Sequence, residues 1–194
     1  MKTDLLQRLE NEIHVWMCAT DSITDPVILT TYTSLLSADE RERLQRFHFE
    51  KDRHAFLVSH ALVRKVLSKY ANIEPAGWRF STGEQGRPEI VRSADIPLLR
   101  FNLTHTQGLA ACVVTRDIAC GIDAEKITRR GNPLAVARKM FATIELEDLQ
   151  AQDEERFLDR FFVYLTLHVA YCKALGVGLK RSDGRYAFVQ GPNG

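Results

Sequence analysis

The chain has 194 residues, of which 45% are apolar and 26% are charged, a composition typical of a soluble globular protein with one domain or two small ones. Its formal net charge of +1 excludes a global electrostatic attraction to nucleic acid or to an anionic membrane. The four cysteines are scattered without a Cys-x-x-Cys pair, so we expect free thiols in a reducing compartment. No apolar run reaches the roughly 18 residues of a membrane-spanning helix, and the N-terminus lacks the apolar core of a signal peptide, so we expect a cytoplasmic protein.

Hydrophobic periodicity and turn residues divide the first two thirds of the chain into short elements. Ser37 and Glu40 have the spacing of a capping box, which predicts the start of a helix. An apolar stripe through Phe56, Val63 and Leu67 predicts a second, longer helix. The predicted elements are an irregular lead-in over 1–11, a strand over 13–19, a loop over 20–27, helices over 38–47 and 51–70, a break over 72–77, a strand over 78–81, a turn over 83–88, and strands over 100–104, 109–115 and 119–125.

The last third of the chain is predicted to be mainly helical. Residues 126–133 are polar and contain glycine and proline, which favours a hinge between two halves. The predicted elements that follow are helices over 134–141, 144–150 and 154–175, the last closed by Gly176, and a short terminal strand over 186–189.

Asp123 and Glu125 stand two residues apart in an apolar run predicted to be a strand. Alternate side chains of a strand share a face, so the two carboxylates would lie side by side, about 6–7 Å apart along the strand. Like charges placed so close are costly unless a cation or a shared proton offsets them, and oxygen ligands suit a hard ion such as Mg²⁺. The alternative is an edge strand with two exposed acids, the commoner meaning of a lone Asp-x-Glu. His105, upstream between two threonines, favours the functional interpretation.

The segment Phe101-Asn-Leu-Thr-His-Thr106, followed by Gly121-Ile-Asp-Ala-Glu125, resembles the paired core motifs of 4′-phosphopantetheinyl transferases of the surfactin-synthetase-activating (Sfp) type. Two threonines replace the serines that usually flank the histidine. The resemblance covers roughly residues 35–190. It implies an α+β fold of two similar subdomains, over 12–125 and 126–194, each with a small antiparallel sheet and a long helix, and a ligand cleft between them.

The function implied by this resemblance is a Mg²⁺-dependent group transfer. Family members move the 4′-phosphopantetheine arm of coenzyme A onto a serine of an acyl or peptidyl carrier protein. This reaction activates fatty-acid, polyketide or nonribosomal peptide biosynthesis. The resemblance therefore implies coenzyme A as co-substrate, Mg²⁺ as cofactor and a carrier protein as partner. We expect a monomer that binds neither nucleic acid nor membrane.

The residues that the resemblance assigns to the phosphates of coenzyme A are Arg43, Lys51, Arg64, Arg87, Thr104 and His105. Among the basic residues of the second helix, Arg64 is the stronger candidate, and Lys51 and Arg53 are weaker. Each assignment has a plainer alternative. A charged run along a helix is commonly a solvated face, Gly86-Arg-Pro88 is by itself only a turn, and a lone histidine is more often structural.

The residues that the resemblance assigns to catalysis are Asp123, Glu125, Glu145 and Lys173, with Asp123 and Glu125 as the ligands of Mg²⁺. Glu145 falls where relatives carry an acid suspected of acting as a base. Its alternative is an acid at a helix N-terminus, stabilised there by the helix dipole. Lys173 matches the final lysine of the family's last motif.

The last motif also carries the main departures from the family. It usually reads Trp-x-x-Lys-Glu-Ala-x-x-Lys, whereas this chain has Leu165, His168 and Val169 at the positions of Trp, Lys and Glu. That glutamate is normally a third carboxylate on Mg²⁺, and a valine cannot ligate a metal. Relatives also continue for tens of residues beyond the terminal strand, so we expect the second half to lack some strands and to expose a sheet edge.

These departures keep a second interpretation open. The rival is a homologue that binds coenzyme A or a carrier protein without efficient transfer. The retained acids, His105 and Lys173 favour the enzyme. A plain nucleotide-binding module explains less, because it gives no reason for motifs in this order.

Overall fold

The structure, a computed structural model, describes residues 2–83, 86–129, 131–178 and 186–189. Short 3₁₀ turns lie at Thr20–Ser22 and Pro75–Gly77. The helices and strands are α1 Lys2–Arg8, β1 His14–Ala19, α2 Pro26–Leu35, α3 Ala38–Gln45, α4 Glu50–Leu67, β2 Phe80–Thr82, β3 Pro88–Ile90, β4 Leu99–Thr106, β5 Leu109–Arg116, α5 Pro133–Met140, α6 Thr143–Ala151 and α7 Glu154–Leu175.

An antiparallel three-stranded sheet organises the first half, in the order β1-β5-β4. The central strand β5 pairs with both neighbours, and His105 lies opposite Ala110 near the turn between β4 and β5. Gly108 occupies that turn with a φ of +83°, a conformation that favours glycine. Strands β2 and β3 form a separate two-stranded ribbon. Bonds from Thr104 to Asp123 and from Ile122 N–H to Asn102 hold the residues after β5 against β4.

Helix α4 covers one face of this sheet. Its apolar side chains pack with Trp78, Phe101 and Val114 into a buried core. Full burial of such a side chain stabilises the fold by about 1.5–3 kcal/mol. The start of α3 shows the predicted capping box, since Ser37 Oγ accepts from Glu40 N–H at 3.2 Å and the Glu40 carboxylate accepts from Ser37 N–H at 2.8 Å.

The second half is built on α5, α6 and α7, which share an aromatic core around Phe141, Phe161 and Tyr164. Helix α7 begins at its N-cap Asp153 and ends at Gly176, whose φ of +67° closes the helix. Among the described helices, none is both long and apolar enough to cross a membrane.

Close backbone approach joins the two halves. Gly121 lies against α7, where an added Cβ would come within 2.7 Å of Ala174 N, so only glycine fits without a shift of the backbone. Arg87 donates to the carbonyls of Lys173 and Ala174 at the end of α7, at 2.8 and 2.9 Å. These contacts set the position of α7 relative to the sheet.

The predicted α+β class is confirmed, as are the helices that became α3, α4 and α7 and the strands β1, β4 and β5. The lead-in over 1–11 is wrong, because Leu5 and Leu6 of α1 pack on the core. The loop over 20–27 is also wrong in part, since Pro26 already opens α2 behind its N-cap Asp25.

Two predicted strands are absent from the described residues. The run 119–125 has no ladder partner; instead Asn102 Oδ1 accepts from Ile122 N–H at 3.1 Å. Residues 186–189 do not form a strand, and the described residues after 129 form helices and irregular chain. The division at residue 126 and the sheet of the second half stay predictions.

Candidate active site

A cleft of about 1210 Å³ opens between the sheet and α7. One wall comes from β4 and the irregular run 119–125, and the other from α7. This volume is sufficient for a nucleotide-sized ligand. The predicted site residues that line it are Arg43, Arg64, Arg87, Thr104, His105, Asp123, Glu125 and Lys173, together with Val169.

Asp123 is a nearly buried acid of the cleft, with only 5% of its side chain exposed. Its Oδ1 accepts from Lys173 Nζ at 2.7 Å and from Thr104 Oγ1 at 3.3 Å. Its Oδ2 is buried and has no hydrogen-bond partner among the described residues. A buried carboxylate oxygen without a donor is costly, so this atom is the natural ligand for a cation.

Glu125 lies at the exposed end of the same run. Partial burial of its carboxyl group and the nearby charge of Asp123 raise its pKa above the usual range, while Lys173 opposes the shift. Both acids line the cleft, although the strand geometry predicted to align them is wrong.

The donor set fits a divalent ion of the magnesium type. Mg²⁺ is usually held by one or two carboxylates together with substrate phosphates, and Asp123 and Glu125 provide two. Val169 offers no ligand atom at the third position. In the described part of the chain, no group of three or more His, Cys, Asp or Glu side chains is arranged to hold a metal. A divalent ion held here would therefore need further oxygens from a ligand to complete its coordination.

Lys173 points into the cleft from the last turns of α7, as predicted. Its Nζ donates to Ile122 O at 3.0 Å and to Asp123 Oδ1 at 2.7 Å, and 31% of its side chain stays exposed. The ammonium group thus neutralises part of the charge of Asp123 and remains accessible to an anionic ligand.

His105 lies across the cleft near other cationic groups. Partial burial of the ring, followed by the charges of His60 and Lys173, lowers the pKa of His105, and Asp52 opposes the shift. Arg43 also lines the cleft, from α3, and its guanidinium lies 5.3 Å from the centre of the Phe56 ring. Anionic groups bound here would relieve the repulsion among these cations.

Two of the residues predicted to bind phosphate form hydrogen bonds within the protein. Arg64 is 1% exposed and donates to Glu40 at 2.6 Å and to Trp78 O at 3.0 Å. Arg87 donates to carbonyls at the end of α7 and to Cys120 O. Their contacts make both arginines part of the framework, which does not support their assignment to coenzyme phosphates.

Lys51 and Glu145 are not brought into the cleft. Lys51 is exposed at the start of α4, over the ring of Phe49. Glu145 is 1% exposed and accepts from the backbone N–H groups of Ala142 at 2.7 Å and Phe188 at 2.8 Å. These bonds match the alternative of a helix N-terminal acid rather than that of a base facing a substrate.

Sequence reasoning missed the partner of Glu145. His168 of α7 is fully buried, and its Nε2 lies 2.9 Å from both oxygens of Glu145. The imidazole stacks on Phe141 with ring centres 5.2 Å apart. Because α6 and α7 meet only in the folded chain, no spacing in the sequence indicates this pair.

Comparison with known proteins identifies the family. The model for the 4′-phosphopantetheinyl transferase N-terminal region matches residues 25–116, and that for the 4′-phosphopantetheinyl transferase superfamily matches residues 119–189. The 4′-phosphopantetheinyl transferase HetI of a Nostoc species is 33% identical over 179 residues, which are 92% of this chain and 74% of the relative. This chain belongs to the 4′-phosphopantetheinyl transferase family.

Other members of the family align over less of their length. The 4′-phosphopantetheinyl transferase Sfp of Bacillus subtilis is 32% identical over 76% of this chain and 63% of its own length. The L-aminoadipate-semialdehyde dehydrogenase-phosphopantetheinyl transferase of the mouse is 26% identical over 81% of this chain and 53% of its own. The chain thus spans between about half and three quarters of these transferases.

A further residue of the cleft, His60, was missed by sequence reasoning. His60 lines the cleft from α4, and its Nδ1 lies 2.9 Å from Glu40 Oε1. It stands four residues before Arg64, so both face the same side of the helix. This i, i+4 spacing beside a predicted ligand was the signal in the sequence that could have found it.

Proposed function

We propose that this chain transfers the 4′-phosphopantetheine arm of coenzyme A to a serine of a carrier protein. The observation that carries the proposal is Asp123, whose unpartnered Oδ2 lies beside Lys173 in a cleft of nucleotide size. The order of the motifs and the family membership support the same reaction.

Coenzyme A is a polyanion, and the cleft offers it several cations. Lys173 from α7, His105 from β4 and Arg43 from α3 approach from different sides. Charge-assisted donors of this kind bind phosphate oxygens more strongly than neutral donors do. Held by both walls, the pyrophosphate would lie next to Asp123.

Asp123 and Glu125 would hold Mg²⁺ against this pyrophosphate. When bound, the ion neutralises phosphate charge and acts as a Lewis acid. Lys173 orients Asp123 by a hydrogen bond, and the Thr104 hydroxyl donates to the same carboxylate from the strand side. The chain's own residues thus set where the metal and the phosphates meet.

In the proposed step, the serine oxygen of the carrier protein attacks the β-phosphorus of coenzyme A. A new phosphodiester bond forms as the bond to 3′,5′-ADP breaks, and the serine proton leaves to water at the mouth of the cleft. Such phosphoryl transfer depends mainly on positioning and on electrostatic stabilisation of the transferring group. Lys173 and His105 supply positive charge where the leaving phosphate gains negative charge.

The test is intact-mass spectrometry of an apo carrier protein after incubation with this chain, coenzyme A and Mg²⁺. We expect a gain of one phosphopantetheine arm, and a loss of transfer of about 10³-fold in Asp123→Ala because the central carboxylate is removed. Asp159→Ala, an exposed acid on α7 that does not line the cleft, serves as a control for general damage to the fold. Transfer that survives in Asp123→Ala would contradict this site.

Val169 favours a second candidate, a homologue that binds coenzyme A without efficient transfer. Its side chain lines the cleft at the position of the third carboxylate. Calorimetry separates the two functions. Coenzyme A binding without a mass gain on the carrier protein would favour the binding homologue.

A further inference from the structure

Glu40 and His60 form a hydrogen-bonded pair, and both line the cleft that also contains Arg43 and His105. His60 projects from α4, and its side chain is 18% exposed. Its ring stacks on Phe56 at 3.9 Å between centres, and the same Phe56 ring carries the guanidinium of Arg43. His60 and Arg43 therefore form one cluster with a shared aromatic support.

Glu40 is held in place by several donors. Ser37 N–H donates to one carboxylate oxygen at 2.8 Å, and Arg64 donates to the same oxygen at 2.6 Å. Burial by itself would raise the pKa of Glu40, but the bonds from His60 and Ser37 and the charge of Arg64 outweigh it and lower the pKa to about 2. Glu40 is therefore a carboxylate in the folded protein at neutral pH.

This carboxylate determines which nitrogen of His60 carries the proton. An ionised carboxylate can only accept, so the Nδ1 of His60 must be the donor in the 2.9 Å bond to Glu40 Oε1. Nε2 has no hydrogen-bond partner among the described residues and belongs to a side chain that lines the cleft. A neutral ring thus presents a lone pair at Nε2, and a protonated ring presents an N–H donor.

We propose that His60 is a phosphate-binding residue of this chain and that Glu40 is its positioning residue. The inference rests on the proposed function, because the phosphate belongs to coenzyme A. In its protonated form, His60 donates from Nε2 to a phosphate oxygen held also by Arg43 or His105. The coenzyme then binds more tightly as the pH falls, since a neutral ring has only a lone pair to offer.

Charged groups from several elements surround His60. Glu40 on α3 accepts from its Nδ1, and Asp52 on α4 adds negative charge to the same region. The same cleft receives positive charge from Arg43 on α3, His105 on β4, Lys173 on α7 and Arg64 on α4. A bound phosphate adds negative charge beside these cations, which favours its binding there.

The direct test is calorimetry of coenzyme A binding to the wild type and to His60→Gln, at about pH 6 and about pH 8. Glutamine is close in size and neutral. We expect the substitution to weaken binding about ten-fold at the lower pH and about two-fold at the higher pH, the scale of one charge-assisted hydrogen bond. His48→Gln, an exposed histidine before α4, is the matched control and should leave both affinities unchanged.

Glu40→Gln supplies the second variant. Glutamine can donate as well as accept, so His60 is free to take the tautomer with a proton on Nε2. We expect coenzyme A affinity to depend less on pH than in the wild type, with thermal unfolding used to find conditions in which the variant is folded. A merely structural role of Glu40 would leave the pH dependence unchanged.

Binding of dephospho-coenzyme A, which lacks the 3′-phosphate monoester, identifies the phosphate that His60 contacts. If the effect of His60→Gln disappears with this ligand, the contact is to the phosphate monoester; if it persists, the contact is to the pyrophosphate. Equal affinities of wild type and His60→Gln for coenzyme A at both pH values overturn the inference and leave the proposed transfer intact. A wild type that binds no coenzyme A at either pH contradicts both.

Discussion

The two walls of the cleft differ in the chemical groups that they present. The wall of β4 and 119–125 carries Thr104, His105, Asp123 and Glu125, the residues that the motif resemblance assigns to phosphates and Mg²⁺. The wall of α7 carries Lys173, and it presents Val169 where the resemblance predicts a carboxylate. We therefore expect the first wall to supply both metal ligands and the second wall to supply only a cation.

The wall of β4 and 119–125, the strand wall, carries most of the predicted ligands. The wall of α7, the helix wall, must pack against it to place Lys173 in the site. Lys173 reaches Asp123 only because α7 packs directly against Gly121 and is fixed at its end by Arg87. Contacts between the walls should therefore have larger effects than single ligands, and the missing acid should limit rate more than binding.

The largest effect is expected from Gly121→Ala, which forces the walls apart. The new Cβ would collide with the backbone of α7, so we expect a loss of unfolding free energy of about 3 kcal/mol and a loss of coenzyme A binding. Chemical denaturation and calorimetry measure the two. Gly83→Ala is the control, since its Cβ would make only an ordinary contact, 3.4 Å from Arg87 O. Equal stability of the two variants would contradict the close approach of α7.

The next effect concerns the lost acid. Val169 and Lys173 are one helical turn apart on the same face, so Val169→Glu places a third carboxylate beside the cleft. We expect turnover to rise about 100-fold while coenzyme A affinity changes little, because the added charge acts mainly on the transition state. Val169→Gln has a similar size without the charge and should give no gain. Equal rates of Val169→Glu and Val169→Gln in a carrier-protein transfer assay would contradict a rate-limiting role of the carboxylate at position 169.

A smaller effect, on the pH dependence of stability, is expected at Glu40 of α3. Its pKa of about 2 lies below the usual 4.5 of a glutamate, so its bonds stabilise the fold above about pH 4.5 and are lost as the pH falls toward 2. The stability difference between wild type and Glu40→Gln should therefore shrink by about 2 kcal/mol over this window. Denaturation at a series of pH values measures it. Glu42→Gln, an exposed acid on the same helix, should show no such narrowing.

The sequence located the strand wall because its residues follow one another in two short motifs. Thr104, His105, Asp123 and Glu125 were predicted from these motifs and Lys173 from the last one, and all five line the cleft. The reasoning for the acids was nevertheless wrong in its geometry. The run 119–125 has the composition of a strand but no neighbouring strand to pair with, which periodicity alone cannot reveal.

Sequence patterns could not reveal the contacts of residues whose partners lie far away in the sequence. Arg64 and Arg87 have the charge of phosphate ligands, but Arg64 donates to Glu40 and Arg87 donates to carbonyls of α7. Glu145 has the position of a family acid, but His168 and two backbone N–H groups surround it. Burial and pairing of this kind arise only when the chain folds.

We propose that both walls bind one coenzyme A molecule, with a divalent ion on the wall of β4 and 119–125. A crystal structure of the protein grown with coenzyme A and Mg²⁺ is the direct test. We expect the pyrophosphate to lie between His105 and Lys173, with a metal ion ligated by Asp123 Oδ2. Coenzyme A bound outside this cleft, or a pyrophosphate held without any metal at Asp123, would contradict it.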